Sequence, residues 1–184
     1  GTTIDNAPAQ IPYLLASPER VSRWRSRIER IEGFRIGIGW QGNASFACDR
    51  YRSVPLFEFE PLLEQPNSQL ISLQKGEGVA QLDEVQFPVH RIEPFDEQRG
   101  AFMDTAAVLE HVQLIITSDT ALAHLAGAMG KEVWLATSYM AEWRWMTHEK
   151  QSSLWYPTMR LYRQRKIGDW RSVFKRMSHD LALQ

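Results

Sequence analysis

Short apolar runs and longer segments of helical periodicity alternate along this chain. A short apolar run is typical of a buried strand, and apolar residues that recur every three or four positions are typical of a helix. The predicted strands are residues 34–40, 70–73, 113–117, 131–135 and 158–162, with a weaker one within 85–92 that contains Pro88. The predicted helices are residues 18–32, 55–63, 102–112 and 119–129, and a last helix from about residue 169. This alternation predicts an α/β fold: a Rossmann-like parallel sheet with helices on both faces.

The first helix has clear end signals. Ser17 and Pro18 are typical of an N-cap and a first helical turn, and Gly33 is typical of a helix end. A chain of 184 residues is long enough for one domain with some appended structure. We therefore expect residues 1–33 to form a connector and an N-terminal helix, and residues 34–184 to form one Rossmann-like domain.

The strand predicted at 113–117 ends in small polar residues and leads directly into a helix. Ser118, Asp119 and Thr120 form this junction, and Thr120 and His124 lie one turn apart on one helix face. A helix N-terminus offers free N–H donors and a positive dipole end, which favour a phosphate. Ligands of open α/β sheets bind at such junctions, outside the carboxyl ends of the strands. A nucleotide diphosphate is the first ligand that this junction suggests.

Polar loops also follow two other predicted strands, after Trp40 and Leu73. Parallel strands point their carboxyl ends the same way, so these loops should meet the junction at one edge of the sheet. Arg and Lys pair with phosphate oxygens, and small hydroxyls and backbone N–H groups complete such a cradle. The candidate donor-binding residues are Gln41, Asn43, Arg52, Ser53, Gln74, Lys75, Ser118, Asp119, Thr120 and His124.

Plainer interpretations stay open for several of these residues. Each could be a solvated loop residue, Asp119 could cap the helix with its carboxylate, and His124 could pack under the edge of the sheet. The spacing G-x-G-x-x-G at residues 37–42 matches a dinucleotide fingerprint. Its first two glycines fall inside a strand and no helix follows at once, which disfavours a nicotinamide or flavin site. Aromatic residues in the loop 136–157 could stack on a base, although packing onto the core is the simpler role for most of them.

Composition and charge exclude several classes of partner. Hydrophobic residues make up 43% of the chain, charged residues 23%, and the net charge is -1, so no global field attracts nucleic acid or an acidic membrane. No run approaches the ~18 apolar residues of a membrane span. Cys48 is the single cysteine, which favours a reducing, cytoplasmic location. The five histidines are scattered without the spacing of metal ligands, so we expect neither a metal nor a cofactor.

Several motifs together resemble a known family. The segment Ser118-Asp119-Thr120-Ala121-x-x-His124 resembles the D-T-G-x-x-H motif of the heptosyltransferase-like glycosyltransferases, glycosyltransferase family nine. The chain is more closely similar to the C-terminal glycosyltransferase domain of bacterial tetratricopeptide-repeat proteins. The matching segments are Pro12-Tyr13-Leu14, Trp40-Gln41-Gly42-Asn43, Asp49-Arg50-x-Arg52-Ser53, Ser72-Leu73-Gln74-Lys75-Gly76, Asp104-Thr105-Ala106-Ala107, Trp143-Arg144-Trp145, Trp155-Tyr156-Pro157-Thr158-Met159-Arg160 and Gly168-Asp169-Trp170.

The resemblance implies the C-terminal, donor-binding half of a GT-B glycosyltransferase. Catalysis in that family is inverting and needs no metal, and the N-terminal half binds the acceptor and supplies the base. By position, Asp119, Thr120 and His124 would contact the phosphates or the sugar of the donor. The sequence departs from the family at Ala121, where a glycine is usual, and this puts heptose specificity in doubt.

Two functions follow from these residues and this resemblance. In the first, residues 34–184 bind a nucleoside-diphosphate sugar, and the enzyme transfers its sugar to a sugar, lipid or protein acceptor. The fragment would then be inactive without its N-terminal acceptor domain. In the second, the chain is a non-catalytic module that binds a nucleotide or another protein, because a fold alone does not specify a function.

Overall fold

The sheet has six parallel strands and a doubly wound order. The computed structural model describes residues 10–97, 100–140, 142–145 and 151–183. The strands are β1 (Phe34–Gly39), β2 (Ser68–Ser72), β3 (His90–Arg91), β4 (Leu114–Ser118), β5 (Val133–Thr137) and β6 (Met159–Arg163). Their order in the sheet is β3-β2-β1-β4-β5-β6, and every pair is parallel. The predicted strands are therefore confirmed, and the weak one is reduced to two residues that follow Pro88.

Helices cover both faces of this sheet, as the alternation of elements predicts. The α-helices are α1 (Pro18–Ile28), α2 (Asp49–Arg52), α3 (Met103–Leu109), α4 (Ala121–Ala128) and α5 (Trp170–Leu181). Shorter 3₁₀ segments span Leu56–Glu64, Val79–Asp83 and Trp143–Trp145. The first of them replaces the helix predicted at 55–63, because Pro61 lies inside it and proline removes a backbone donor that an α-helix needs.

Two apolar layers fill the space between the sheet and its helices. One layer packs α1, α3 and α4 against side chains such as Ile71, Ile115 and Leu135. The other packs α5 and the segment Leu56–Glu64 against Ile38 and Ile116. Strand residues point alternately to the two faces, so the central strands are buried on both sides, as parallel strands require.

The alternate glycines of β1 allow this close packing. A Cβ atom at Gly37 would lie 2.7 Å from Leu73 Cδ1, and one at Gly39 would lie 2.7 Å from Leu122 Cδ2. Leu122 belongs to α4, so Gly39 lets this helix lie close against β1. The G-x-G spacing thus serves helix and side-chain packing in this fold.

The segment before α1 runs along the end of α4. The backbone N–H groups of Tyr13 and Leu14 both donate to the carbonyl of Ala128, at 2.9 and 3.2 Å. Among the described residues, no helix combines the length and the apolar character that crossing a bilayer requires.

Candidate functional site

The chain order reverses between β1 and β4. β2 and β3 lie on one side of β1, whereas β4, β5 and β6 lie on the other side. The loops that follow β1 and β4 therefore leave the carboxyl edge of the sheet next to each other, and a crevice opens between them. The structure brings several of the candidate residues together here and directs others elsewhere.

A buried carboxylate organises the loop after β1. Asp49 is 4% exposed; its Oδ1 accepts a hydrogen bond from Arg52 Nε at 2.9 Å and its Oδ2 accepts one from Ser53 Oγ at 2.7 Å. Ser53 Oγ in turn accepts from the N–H of Gly42 at 3.1 Å. Asp49 was not among the predicted site residues, although its spacing of three from Arg52 is that of an ion pair on one helical turn.

Arg52 joins the loop after β1 to the loop after β4. Its Nη1 donates to the carbonyl of Asp119 at 2.9 Å, and its guanidinium lies over the Phe46 ring, 4.9 Å from the centroid. Gly42 makes room for this arrangement, because a Cβ there would lie 2.4 Å from Asp49 Oδ1 and 2.6 Å from Arg52 Nη2. The cation is thus fixed beside the start of α4.

The side chain of Gln74 connects the loop after β1 to the loop after β2. Its Oε1 accepts from the N–H groups of Trp40 at 2.9 Å and Gln41 at 3.0 Å, and its Nε2 donates to the carbonyls of Gln41 at 2.9 Å and Glu77 at 2.8 Å. Gln41 is engaged as well, since its Oε1 accepts from Gln81 Nε2 at 3.0 Å. Gln74 therefore holds the loops in place with bonds that leave its amide saturated.

Two further candidates are directed away from Arg52. Lys75 Nζ donates to the carbonyl of Phe95 and lies 5.1 Å from the centroid of the Phe95 ring; it is also 3.9 Å from Glu97 Oε1. Asn43 is exposed, and its Oδ1 accepts from the N–H of Ser45 at 2.8 Å. These contacts place Lys75 toward the β3 side of the sheet and give Asn43 a turn-forming role.

The first turn of α4 lacks a side-chain cap. Thr120 occupies the N-cap position in extended conformation, with no side-chain hydrogen bond to the helix. Its hydroxyl lies 3.4 Å from Thr117 Oγ1. Asp119, which the sequence suggested as a cap, precedes the N-cap, and its carbonyl accepts from Arg52 instead. The positive end of α4 is therefore open to an anion.

His124 lies on α4 between aromatic and acidic neighbours. Its Nδ1 is 3.1 Å from the hydroxyl of Tyr156, its Nε2 is 4.0 Å from Asp119 Oδ1, and its ring stacks on Trp145 with centroids 5.2 Å apart. Gly127 makes the contact with Tyr156 possible, because a Cβ there would lie 2.5 Å from the Tyr156 ring.

Burial sets the charge state of this pair. It lowers the pKa of His124, which the carboxylate of Asp119 opposes and the cation of Arg144 reinforces. Burial, together with a side-chain hydrogen bond to Tyr13, also raises the pKa of Tyr156, which keeps its hydroxyl protonated. The ring of His124 faces the Tyr156 hydroxyl with Nδ1 and Asp119 with Nε2.

A cleft of about 480 Å³ adjoins Arg52 and Asp119. The loops after β1, β5 and β6 form its walls, which are largely aromatic and aliphatic. The remaining residues that line it are Phe46, Cys48, Tyr51, Ser138, Tyr139, Met140, Glu142, Gln164 and Ile167. Its walls and the cation of Arg52 at its edge together suit a ligand that combines a flat ring with an anionic group.

Ser118 lies beneath this surface. It is fully buried, and its hydroxyl has no hydrogen-bond partner among the described residues. Of the other aromatic residues in the loop 136–157, Trp145 and Tyr156 are buried in the core, whereas Trp143 is 70% exposed. Packing is thus the role of Trp145 and Tyr156, as the sequence suggested for most of this set.

A second depression, of about 850 Å³, lies at the amino edge of the sheet. Turn residues such as Glu32 and Asn67 line it, and none of the candidate residues does. The described residues contain no group of three or more His, Cys, Asp or Glu side chains that could hold a metal ion.

Comparison with known proteins supports the fold. No protein-family model matches the chain. The chain is 25% identical over 182 residues to Protein FlbA of Caulobacter vibrioides, a match that covers 96% of this chain and 30% of that protein. It therefore spans less than a third of the length of this curated relative.

One solved structure has a similar fold. The E. coli ADP-heptose LPS heptosyltransferase II superposes with a TM-score of 0.62 at 14% identity, over 98% of this chain and 56% of the other. The Rossmann-like α/β fold is confirmed, and the chain resembles part of a heptosyltransferase, a glycosyltransferase, at the level of the fold.

Proposed function

We propose that this chain is the donor-binding domain of a glycosyltransferase and that it binds a nucleoside-diphosphate sugar at the carboxyl edge of its sheet. One observation carries the proposal: Arg52, fixed by Asp49, bonds to Asp119 at the uncapped start of α4, beside a largely apolar cleft. A guanidinium and a helix N-terminus at one place form an anion site, and the cleft extends it toward a base.

These groups suit the departure of a nucleoside diphosphate. As the bond between the sugar and the diphosphate breaks, negative charge grows on the leaving phosphate oxygen. Arg52, the N–H groups of α4 and the ring of His124 stabilise that charge without a metal. The acceptor in this proposal is a sugar, lipid or protein, and the groups that bind it and the catalytic base lie outside this donor site.

The single cysteine provides a direct test of donor binding. Cys48 is exposed and lines the cleft, so a bound nucleotide sugar shields its thiol from a maleimide dye. We expect millimolar ADP-, UDP- or GDP-sugar to slow labelling. Arg52→Gln should weaken the protecting ligand about 10- to 100-fold, since a hydrogen bond to a charged group is lost.

Arg25→Gln is the matched control, because Arg25 is an exposed arginine of α1 that pairs only weakly with Glu29, at 3.7 Å. It should leave protection unchanged. Labelling that no nucleotide sugar slows at millimolar concentration, together with an unchanged melting temperature, would contradict donor binding.

The exposed rim of the cleft favours a second candidate, a protein-interaction module. Large apolar side chains with substantial exposure line the cleft: Phe46, Tyr51, Tyr139, Met140 and Ile167. Contiguous exposed apolar surface of this kind marks interaction sites. In that case nucleotides leave Cys48 unprotected, so the same labelling experiment separates the two functions.

A further inference from the structure

Gln164 is a buried amide at the floor of the cleft. It follows β6 directly, is 2% exposed and lines the cleft. Its Oε1 accepts hydrogen bonds from the N–H groups of Tyr139 and Gly168, both at 3.2 Å. Its Nε2 has no hydrogen-bond partner among the described residues.

The two backbone donors fix the orientation of this amide. The opposite orientation would set the NH₂ group of Gln164 against the N–H groups of Tyr139 and Gly168, donor against donor. The amide oxygen therefore accepts hydrogen bonds within the protein, whereas the amide nitrogen has no acceptor among the described residues. Buried donors without a partner are rare in folded proteins. Several buried side-chain atoms share this property among the described residues, but Gln164 lines the cleft, so a ligand bound there can supply the acceptor.

The position of Gln164 within the cleft indicates which part of a ligand supplies this acceptor. Arg52, which the proposed function assigns to the diphosphate, lines the same cleft as Tyr51, Tyr139 and Gln164. Aromatic rings stack on nucleobases, and an amide beside them contacts the edge of a stacked base.

We propose that Gln164 reads the nucleobase of the donor, with Nε2 donating a hydrogen bond to a ring nitrogen or carbonyl oxygen on the edge of the base. This assignment rests on the proposed function, because it needs a nucleotide in the cleft. The fixed donor favours a base that presents an acceptor at this point and rejects a base that presents an amino group there, since two donors would then face each other.

Two variants test the assignment, each preserving a different property of the wild type. Gln164→Glu keeps an oxygen for the N–H groups of Tyr139 and Gly168 and replaces only the unpartnered donor. Gln164→Met removes the donor without adding charge. Gln113→Glu is the matched control, because Gln113 Oε1 also accepts a backbone N–H, that of Arg35 at 2.8 Å, but lies at the opposite edge of the sheet.

Calorimetric titration with ADP, GDP, UDP and CDP, and separately with inorganic pyrophosphate, measures the base and diphosphate contributions apart. We expect the preferred nucleoside diphosphate to bind the wild type at least tenfold more tightly than pyrophosphate. Both Gln164 variants should weaken that nucleotide about tenfold or more, and Gln164→Met, which adds no charge, should leave pyrophosphate within twofold. The Gln113 variant should change neither.

The outcomes separate this inference from the proposed function. A wild type that binds pyrophosphate and all four nucleotides equally overturns the role of Gln164 and leaves the diphosphate site standing, and this result does not depend on the variants folding. Unchanged nucleotide affinity in folded Gln164 variants overturns it as well. A wild type that binds neither pyrophosphate nor any nucleotide overturns the proposed function, and this assignment with it.

Discussion

At the scale of single residues, the site depends on an ion pair that the protein has already buried. Asp49 makes two hydrogen bonds at one edge of the crevice, to Arg52 and Ser53. A flexible arginine would lose side-chain freedom on binding an anion, and this pair removes that freedom in advance. Asp49 therefore acts on the ligand through Arg52.

Asp49→Ala should destabilise the fold as well as the site. The variant leaves Arg52 without its carboxylate and Ser53 without an acceptor, so we expect a loss of about 2–3 kcal/mol in the free energy of unfolding. Urea denaturation measures it. Arg25→Ala removes the exposed pair with Glu29, where both side chains are more than half exposed, and should cost no more than about 0.5 kcal/mol. Equal losses in the two variants would contradict a structural role for Asp49.

Strand polarity alone brings some of the candidate residues together, whereas tertiary contacts decide the place of others. Arg52 bonds to Asp119, and His124 lies 4.0 Å from Asp119, while their part in donor binding stays a prediction. The saturation of Gln74 depends on the pairing of β1 with β2, which no local pattern reveals. Gln164 was not predicted. It lies in the loop after the last strand, and its proposed role depends on an amide nitrogen that has no partner among the described residues.

At the scale of elements, the periodic segments were predictable and their exact form was not. Helix α5 has the apolar stripe that the sequence predicts. It begins after Asp169, whose Oδ1 accepts a hydrogen bond from the N–H of Ser172 at 3.2 Å. The segment Leu56–Glu64 has the apolar residues of a helix, but Pro61 tightens it into a 3₁₀ form. Tertiary contacts that distant residues supply, such as Leu122 against Gly39, explain the glycines of β1.

One carboxylate fastens α1 to α3. Asp104, 6% exposed, accepts hydrogen bonds from Arg20 at 2.6 Å, Arg23 at 2.5 Å and Trp24 Nε1 at 3.0 Å, and from the N–H of Asp96 at 2.9 Å. Burial opposes ionisation, but these donors together outweigh it and hold the pKa of Asp104 at about 2. The ionised form therefore stabilises the docking of α1.

Asp104→Asn should cost about 2 kcal/mol of stability at pH 7, because the pKa of Asp104 lies well below its usual value of 3.8. A lowered pKa contributes stability that is complete above the unfolded value and is lost as the pH falls toward the folded one. The gap between wild type and variant should thus narrow between about pH 4 and pH 2. Urea denaturation across this range measures the gap.

Asp83→Asn provides the comparison, because Asp83 is 73% exposed in its pair with Arg91. It should cost no more than about 0.5 kcal/mol at pH 7. A gap for Asp104→Asn that stays constant down to pH 2 would contradict the ionised anchor.

At the scale of the whole molecule, the two edges of the sheet have different roles. The amino edge carries tight turns, such as the one at Asn67, which has a positive φ of 64°. The carboxyl edge carries the buried ion pair, the open start of α4, the cleft and the apolar rim.

Ligand binding should therefore stabilise one edge of the molecule and leave the other unchanged. At 100 times its dissociation constant, a nucleoside-diphosphate sugar adds about 2.7 kcal/mol to the free energy of unfolding, which raises the melting temperature of a chain of this size by about 5–10 °C. In hydrogen–deuterium exchange, we expect slower exchange in residues 41–53 and 118–124, where the ligand binds and orders the loops. Residues 64–69 at the amino edge should exchange as before, apart from global unfolding. Protection that is confined to the amino edge would move the ligand to the wrong side of the sheet and contradict the proposed site.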